Sequence, residues 1–340
     1  MKTLTSLALI ACAPVALYAH SHDGHSHACE ADVVCDSISS EFTPMQVVPG
    51  WGVNGNSVPM PAIGSTHGGV VVDQTGLIYV SSRTGLYVFN ADGKLVKAYT
   101  DDAYTGIHAM CINVEDGQEY IYGARNYAGE AIKLTTSGEI VLHLTFPEDT
   151  GIEGKFKPTA IAVKPNGNIL LADGYGTNMI FEYDVEGNYL SHFGGKNPDA
   201  EDKFNTPHGL AIDYRYDPPR ILIADREKMR LVHFTLDGKY IGEVITGLRR
   251  PCAVSFRGDG TVAIAELQSR VAILDKDNQL IGTLGDNPNN EQWATYKVAP
   301  EDWQEGIFTA PHGLSWDKQG NLYVQDWNET GRLTKWVESN

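Results

Sequence analysis

Cysteine is scarce in this chain of 340 residues, which contains only five. Cys12 lies in the apolar N-terminal stretch, and Cys29 and Cys35 lie in a polar segment where they could pair in an oxidising compartment. Cys111 and Cys252 fall on two different predicted strands, where small buried packing residues are expected. A fold stapled by many disulfides is therefore excluded, and the hydrophobic share of 42% is that of a globular protein.

Basic residues are also few. The chain has 26 Lys and Arg against 43 Asp and Glu, which gives a formal net charge of −17. A chain this acidic is a poor partner for nucleic acid or anionic lipid, so neither is expected as a ligand. Long apolar runs are missing too, because the run over residues 4–18 is too short for an integral membrane span.

That short apolar run has the features of a secretion signal. Lys2 supplies a positive region before it and Ala19 a cleavage point after it, so residues 1–19 are expected to be a signal peptide. We therefore expect a secreted or periplasmic protein. As an alternative, residues 9–12 resemble a bacterial lipoprotein cleavage box, in which Cys12 would carry a lipid anchor.

Residues 20–44 form a polar lead-in that is rich in histidine. These histidines could bind zinc or copper. A mobile polar tail is the alternative, because the segment lacks packing residues. The histidines concerned are His20, His22, His25 and His27.

The chain after this lead-in consists of six tandem repeats. Their opening residues, which lie about 40 to 60 residues apart, are His67, His108, Thr159, His208, Cys252 and His312. Within each repeat, short apolar runs alternate with Asn-Gly or Asp-Gly turns, which indicate β-hairpins. Such periods predict propeller blades, and no blade can bury its faces alone. We therefore predict an all-β, six-bladed β-propeller over residues 45–340.

The last repeat is one strand short. It contains Leu314, residues 322–324 and residues 333–336 before the chain ends at Asn340. Residues 45–48 lie before the first blade and can supply the missing strand. We therefore expect an N-terminal strand to close the ring.

The opening residue of each blade is expected to point at the central channel. His108, His208 and His312 belong to alternate blades, which places them about 120° apart around a six-fold ring. Three imidazoles with an open fourth position describe a catalytic zinc site, whereas copper, iron or nickel suit imidazole less selectively. The alternative is that these histidines cap strands or fill the channel. His67 is a fourth histidine, which either lines the pocket or replaces one ligand.

A second ring of polar and aromatic residues follows the second strand of each blade and should surround the same mouth. Arginine binds carboxylates bidentately, and a tyrosine near a zinc-bound hydroxyl can act as a base. As an alternative, the arginines form ion pairs with Asp173, Asp225 or Asp326. The ring residues with a predicted catalytic or substrate-binding role are Arg83, Arg125, Tyr175, Arg226 and Trp327.

These residues resemble the peptidyl-α-hydroxyglycine α-amidating lyases, which are six-bladed propellers of the NHL-repeat type. The resemblance covers roughly residues 64–336 and is most specific over residues 172–175, 204–208, 224–227 and Pro311-His312. It implies that His108, His208 and His312 bind zinc. It also implies that Tyr175 and Arg226 are catalytic.

The sequence departs from that family at several positions. A second arginine of the family is missing from residues 63–67, and Arg83 or Arg125 could take its place. The family's calcium-binding aspartate is Gly313 here, so calcium is doubtful. A methionine of the family is Ala310, and a disulfide partner is Gly176.

The resemblance implies a secreted zinc-dependent lyase. It would cleave the C–N bond of a peptidyl- or N-acyl-α-hydroxyglycine, or a similar carbinolamide, to an amide and glyoxylate. The chain has no monooxygenase half, so a separate monooxygenase would supply the substrate. One alternative is a non-catalytic NHL propeller that binds a protein or glycan on its rim. Another is a calcium-dependent lactonase or esterase propeller, which would need carboxylate and Asn ligands on the axis.

Overall fold

The structure is a computed structural model that describes residues 43–51, 63–148, 150–197 and 199–339. These residues all belong to one compact unit. The predicted signal peptide, the four lead-in histidines, Cys12, Cys29 and Cys35 lie outside the described residues.

Six four-stranded antiparallel sheets are arranged around a channel, as predicted. The first strands of neighbouring blades contact one another all round the ring. From the channel outward, blade one consists of β2 (Val70–Val72), β3 (Ile78–Ser82), β4 (Gly85–Phe89) and β5 (Leu95–Tyr99), and blade two consists of β6 (Ala109–Glu115), β7 (Gln118–Arg125), β8 (Glu130–Thr135) and β9 (Ile140–Thr145). In the same order, blade three consists of β10 (Ala160–Val163), β11 (Ile169–Ala172), β12 (Met179–Tyr183) and β13 (Tyr189–Gly194), and blade four consists of β14 (Pro207–Asp213), β15 (Arg220–Asp225), β16 (Arg230–Thr235) and β17 (Tyr240–Thr246). Blade five consists of β18 (Pro251–Phe256), β19 (Val262–Glu266), β20 (Arg270–Leu274) and β21 (Leu280–Leu284), and blade six consists of β22 (Pro311–Trp316), β23 (Leu322–Asp326), β24 (Arg332–Glu338) and β1 (Met45–Val47). Single-turn 3-10 helices occur at Asp102–Tyr104, Arg226–Lys228, Asn290–Gln292 and Pro300–Asp302.

The apolar core lies between neighbouring blades. The second strand of each blade is enclosed on both faces, and all four residues of β11 are fully buried. One core cluster joins Leu170 of blade three to Ile223 and Val232 of blade four, with Phe204 between them. Tight turns link the strands, and Gly167 adopts a φ of +88°, which disfavours residues with a side chain. Alternating apolar runs and glycine turns thus produce the blades that the sequence predicts.

The N-terminal strand closes the ring. β1 pairs antiparallel with β24 through Met45 with Glu338 and Val47 with Trp336, and Val48 N–H donates to the Lys335 carbonyl at 2.8 Å. The sixth blade thereby gains its outer strand from residues that precede the first blade. The predicted closure is confirmed.

In blades four, five and six, a bulge directs the opening residue into the channel. In blade four, Pro207 pairs with Asp225 and Gly209 pairs with Ala224, so His208 is an extra residue without a partner. Cys252 and His312 occupy the same place in blades five and six. A bulge of this kind re-aims a side chain that would otherwise follow the pleat of the strand.

Blade one departs from the predicted alignment by one residue. Val70 pairs with Val80, and Ser81 N–H donates to the Gly69 carbonyl at 2.8 Å. This register places Gly68, not His67, at the position that His208 occupies in blade four. The prediction that His67 opens blade one in the same way as the other histidines is therefore wrong by one residue.

A side chain from blade six maintains this shift. Gln325 on β23 accepts a hydrogen bond from Gly68 N–H and donates one to the Ser81 carbonyl at 2.9 Å. In blades two and three the corresponding backbone groups bond directly, from His108 N–H to Ala124 O and from Thr159 N–H to Ala172 O, both at 2.7 Å. The amide of Gln325 thus stands between two backbone groups that would otherwise meet.

Candidate metal centre

Four imidazole rings converge at one end of the channel. The ring centroids of His108, His208 and His312 lie 4.6–4.9 Å apart, and these residues are at most 3% exposed. The His67 ring lies 4.5 Å from that of His108 and 4.8 Å from that of His312. His67 therefore joins the cluster despite its shifted backbone position.

The hydrogen bonds of two imidazoles determine which nitrogen can bind a metal. His108 Nδ1 lies 2.7 Å from the Thr159 carbonyl oxygen, and His208 Nδ1 lies 2.8 Å from that of Cys252. A carbonyl only accepts, so each Nδ1 carries the proton and each Nε2 keeps a free lone pair. Such contacts orient histidine ligands in metalloproteins. His312 Nδ1 is buried without a hydrogen-bond partner.

All four histidines are held neutral. Burial lowers the pKa of His108, His208 and His312 well below 6.5, and the neighbouring imidazoles and the Arg226 charge lower it further. Burial and Arg226 lower the pKa of His67 to about 4. Neutral imidazole is the form that binds a metal.

Two sets of three side chains in the described part of the chain bring their ligand atoms within 4.8 Å of one another. One comprises His67, His108 and His312, and the other His208, Cys252 and His312. The trio His108, His208 and His312 is not one of them. The Tyr175 hydroxyl lies between two of its members, 2.8 Å from His208 Nε2 and 3.4 Å from His108 Nε2. The donor atoms, imidazole nitrogen and one thiol, suit zinc and other late transition metals.

A tight turn after β11 directs Tyr175 into the cluster. The buried Asp173 carboxylate accepts hydrogen bonds from the backbone N–H groups of Lys157 and Thr177, both at 2.6 Å. A Cβ atom on Gly174 would overlap the Pro207 carbonyl, and one on Gly176 would overlap the Lys155 carbonyl. Only glycine fits on either side of Tyr175. Asp173 therefore shapes this turn and does not pair with an arginine.

Arg226 supports the tyrosine. Its Nη1 donates to the Tyr175 hydroxyl at 2.9 Å and its Nε donates to Glu227 at 2.8 Å. Glu227 also accepts a bond of 2.6 Å from Arg250. Burial raises the pKa of Tyr175 to about 12, and the positive charge of Arg226 opposes that rise. Among the protein groups alone, the Tyr175 phenol is therefore protonated at neutral pH.

The buried acids of the blades bind arginines other than those of the rim. Asp225 pairs with Arg230 at 3.0 Å, and Asp326 lies 3.7 Å from Arg332. Arg230 neutralises Asp225, and Arg226 instead donates to the Tyr175 hydroxyl. The alternative that the rim arginines pair with Asp173, Asp225 or Asp326 does not describe Arg226.

In blade two the two charges of this ion pair are exchanged, with the arginine on the second strand and the acid on the third. Arg125 faces Glu130 across β7 and β8, as Asp225 faces Arg230 across β15 and β16. Its Nε and Nη2 donate to the carbonyl oxygens of Thr105 and Asp102, at 3.1 and 2.6 Å. The predicted alignment of Arg125 with Arg226 is therefore wrong by one residue, and Asn126 takes the equivalent place.

Arg83 stands where the alignment predicts. Ser82 pairs with Gly85 as Asp225 pairs with Arg230, so Arg83 and Arg226 hold the same position in blades one and four. The Arg83 side chain is exposed and has no ion pair with any residue that the structure describes.

Aromatic side chains surround His67 at the mouth. Its ring stacks on Trp327 at 5.9 Å and lies 6.3 Å from that of Tyr127, and Tyr296 contacts Trp327 at 5.0 Å. Trp327 was predicted from the sequence, whereas Tyr127 and Tyr296 were not. Cys252 was predicted to be a packing residue, but its thiol belongs to one of the two ligand sets.

Curated proteins share part of their sequence with this chain. No family model matches the chain. A probable peptidyl-alpha-hydroxyglycine alpha-amidating lyase of Caenorhabditis elegans is 27% identical over 136 residues, which are 40% of this chain and 35% of that protein. Peptidyl-glycine alpha-amidating monooxygenase A of Xenopus laevis is 25% identical over 182 residues, 51% of this chain and 19% of that protein. The matched regions thus cover about a third or less of these relatives.

Solved structures agree with the fold. A streptogramin B lyase superposes with a TM-score of 0.55 at 14% identity, covering 82% of this chain and 95% of its own. A virginiamycin B lyase from Staphylococcus aureus gives 0.54 at 14% identity, with 81% and 95% covered. The chain is therefore a β-propeller with a distant relationship to an amidating lyase. None of the helices in the described ranges has the length and hydropathy to cross a membrane.

Proposed function

We propose that the protein is a zinc-dependent carbon–nitrogen lyase. Its substrate would be a peptidyl- or N-acyl-α-hydroxyglycine or a similar carbinolamide, and its products an amide and glyoxylate. One observation carries the proposal: neutral imidazoles converge at the channel mouth on a tyrosine hydroxyl that also contacts a buried arginine. The distant likeness to an amidating lyase supports the same reaction. We further propose that the protein is exported and that a separate monooxygenase supplies the substrate.

His108, His208 and His312 would hold the metal. The unprotonated Nε2 atoms of His108 and His208 both meet the Tyr175 hydroxyl, so the lone pairs of two blades are directed at one place. Bound zinc would act as a Lewis acid that makes the substrate hydroxyl more acidic. Calcium has no proposed role, because neither set of ligand atoms contains a carboxylate.

Tyr175, as the phenolate that a bound cation would favour, would accept the proton of the substrate hydroxyl. Its oxygen already accepts a hydrogen bond from Arg226, whose positive charge stabilises the phenolate form. As the O–H bond breaks, the carbon–oxygen single bond becomes a double bond and the C–N bond breaks. The C–N electron pair remains on nitrogen, which takes up the proton, so one hydroxyglycine gives one amide and one glyoxylate.

Arg226 would bind the substrate carboxylate, and Arg83 would contact the substrate from the opposite side of the mouth. Arg226 and Arg83 occupy the same position in blades one and four, and Arg83 has no partner among the described carboxylates. A guanidinium fork holds a carboxylate with two parallel hydrogen bonds. His67 and Trp327 would line the remaining wall, and Arg125 would fix the neighbouring loop through its bonds to Thr105 and Asp102.

Metal content and glyoxylate release test this proposal together. The purified protein should contain close to one zinc per chain and release glyoxylate from N-benzoyl-α-hydroxyglycine. Tyr175→Phe keeps the ring but removes the hydroxyl, so turnover should fall by about 10²–10⁴-fold while zinc content stays unchanged. If Tyr175→Phe turns over normally, Tyr175 is not the base. Zinc-loaded wild-type protein that releases no glyoxylate would leave a non-catalytic propeller that binds partners on its rim.

A further inference from the structure

The mouth of the channel is divided into two chemically different halves. Blades six, one and two contribute what we call the aromatic wall, which consists of Tyr127, His67, Trp327 and Tyr296. Its members contact one another at ring-centroid distances of 5.0 to 6.3 Å. Blades three to five contribute the charged half, formed by Tyr175, Arg226, Glu227 and Arg250.

Both halves face the same space. The Tyr175 ring lies 5.2 Å from that of His108, which joins the charged half to the imidazole cluster. The His67 ring lies 4.5 Å from that of His108, which joins the aromatic wall to the imidazole cluster. A molecule bound at the cluster with its anionic end on Arg226 would therefore point its other end at the aromatic wall.

The wall is held in place by specific contacts. The repeat between Cys252 and His312 is the longest in the chain, and its extra residues carry Tyr296 to the mouth. Tyr296 donates a hydrogen bond to Ser65 Oγ at 2.8 Å, and Glu329 N–H donates to the Tyr296 carbonyl at 3.0 Å. The loop that carries Trp327 is thereby fixed to the segment before blade one.

Tyr127 is the exposed member of the wall. It is 74% exposed, the highest value among the exposed large hydrophobic side chains of the described residues, and the one aromatic ring of those residues that pairs with it is that of His67. Exposed aromatic rings beside a polar cleft mark places where a ligand supplies the missing contact. An aromatic ring of the ligand would stack here and remove Tyr127 and Trp327 from water.

We infer that the aromatic wall binds an aromatic group on the acyl side of the substrate, so that the protein prefers N-aroyl or aromatic-residue hydroxyglycines to small aliphatic ones. This inference rests on the proposed function for the identity of the anionic end. It adds a substrate class that the imidazole cluster alone does not specify. Tyr127 and Trp327 would determine the preference.

Binding of unreactive analogues tests the wall separately from catalysis. N-benzoylglycine and N-acetylglycine both carry the carboxylate but lack the hydroxyl. Calorimetric titration of zinc-loaded wild-type protein should give N-benzoylglycine about tenfold tighter binding. Tyr127→Ala should remove most of that difference, whereas Tyr127→Phe should keep it. Tyr214→Ala is the matched control, because Tyr214 is an exposed tyrosine just after β14, at the other end of the channel.

Turnover gives the second measurement. The ratio of kcat/KM for N-benzoyl- over N-acetyl-α-hydroxyglycine should fall in Tyr127→Ala with the N-acetyl rate nearly unchanged. Equal binding of the two analogues by the wild type, or a preference that survives Tyr127→Ala combined with Trp327→Leu, would overturn the inference. A binding preference without glyoxylate release would instead refute the lyase and leave the aromatic wall supported.

Discussion

Replacing Gln325 with leucine should destabilise the contact between blades six and one. The buried Gln325 amide binds both Gly68 N–H and the Ser81 carbonyl, two backbone groups that have no direct bond to each other. Leucine has a similar size but no donor or acceptor. Both backbone groups would then be buried without partners.

The magnitude follows from those two groups. An unsatisfied buried donor or acceptor costs about 1–3 kcal/mol, so the loss is about 2–6 kcal/mol before relaxation. The apolar leucine side chain returns roughly 1 kcal/mol, which leaves a fall of about 1–5 kcal/mol in the free energy of unfolding. For a domain of this size, each kcal/mol lowers Tm by about 2–4 °C, so Tm should fall by roughly 2–20 °C.

Thermal and urea unfolding, followed by tryptophan fluorescence, would measure the effect. Gln279→Leu is the control, because Gln279 is an exposed glutamine between β20 and β21, and its change should stay within about 0.5 kcal/mol. Gln325→Leu should also weaken zinc binding, since Gly68 packs against the His312 ring. If Gln325→Leu unfolds at the same midpoint as Gln279→Leu, the Gln325 amide does not stabilise the contact between blades six and one. The interpretation that Gln325 maintains the one-residue shift of blade one would then be wrong.

Further predictions concern the ring and the site. A deletion through Val48 removes β1 and exposes the edge of β24, so it should melt well below a control deleted through residue 42; equal melting would refute the role of this strand. His208→Ala should lose most zinc by metal analysis and keep the far-ultraviolet circular dichroism of the wild type, whereas retained zinc would exclude His208 as a ligand. Arg226→Lys keeps the charge but loses the planar fork, so kcat/KM should fall by more than about tenfold, and a wild-type value would show that only charge matters. In the metal-free protein, the folded pKa of His67 is about 4 against 6.5 unfolded, so the unfolded chain binds more protons between these values. The free energy of unfolding should therefore be highest above about pH 6.5 and fall towards pH 4, and the fall should be smaller in His67→Gln. Urea unfolding midpoints at pH 7.5 and pH 5 would measure this fall. Equal midpoints at the two pH values in the wild type would contradict it.

Local sequence signals were sufficient to predict the blades. Asn-Gly and Asp-Gly turns between apolar runs placed the hairpins, and the absence of a last strand in the sixth repeat indicated closure by β1. The opening residues of blades four to six were also predicted from the sequence, where Pro207, Pro251 and Pro311 each precede the residue that enters the channel.

The register of blade one could not be predicted in this way. His67-Gly68 looks like His208-Gly209, and the motif alone aligned them. The interaction that decides the register comes from Gln325, which lies 257 residues further along the chain than Gly68. Such a long-range contact leaves no trace in a local pattern.

Two other differences between the sequence prediction and the structure had different causes. Arg125 and Glu130 are five residues apart, as are Asp225 and Arg230, so the reversed ion pair was visible in the sequence and could have corrected the alignment. Tyr296 lies in a connection that has no counterpart in the other repeats. Its contact with Trp327 therefore depends on the path of one long loop, which repeat comparison cannot supply.

Closure by β1 also imposes an order on folding. Met45 leaves the ribosome long before its partner Glu338, so the strand stays unpaired until nearly the whole propeller has been made. Joining ends separated by about 290 residues costs about 5 kcal/mol of chain entropy, which makes this a late and slow step. Before it, blade six has three of its four strands, and the outer edge of β24 has no partner strand. The last blade therefore keeps an open edge, able to pair with another chain, until the N-terminal strand docks.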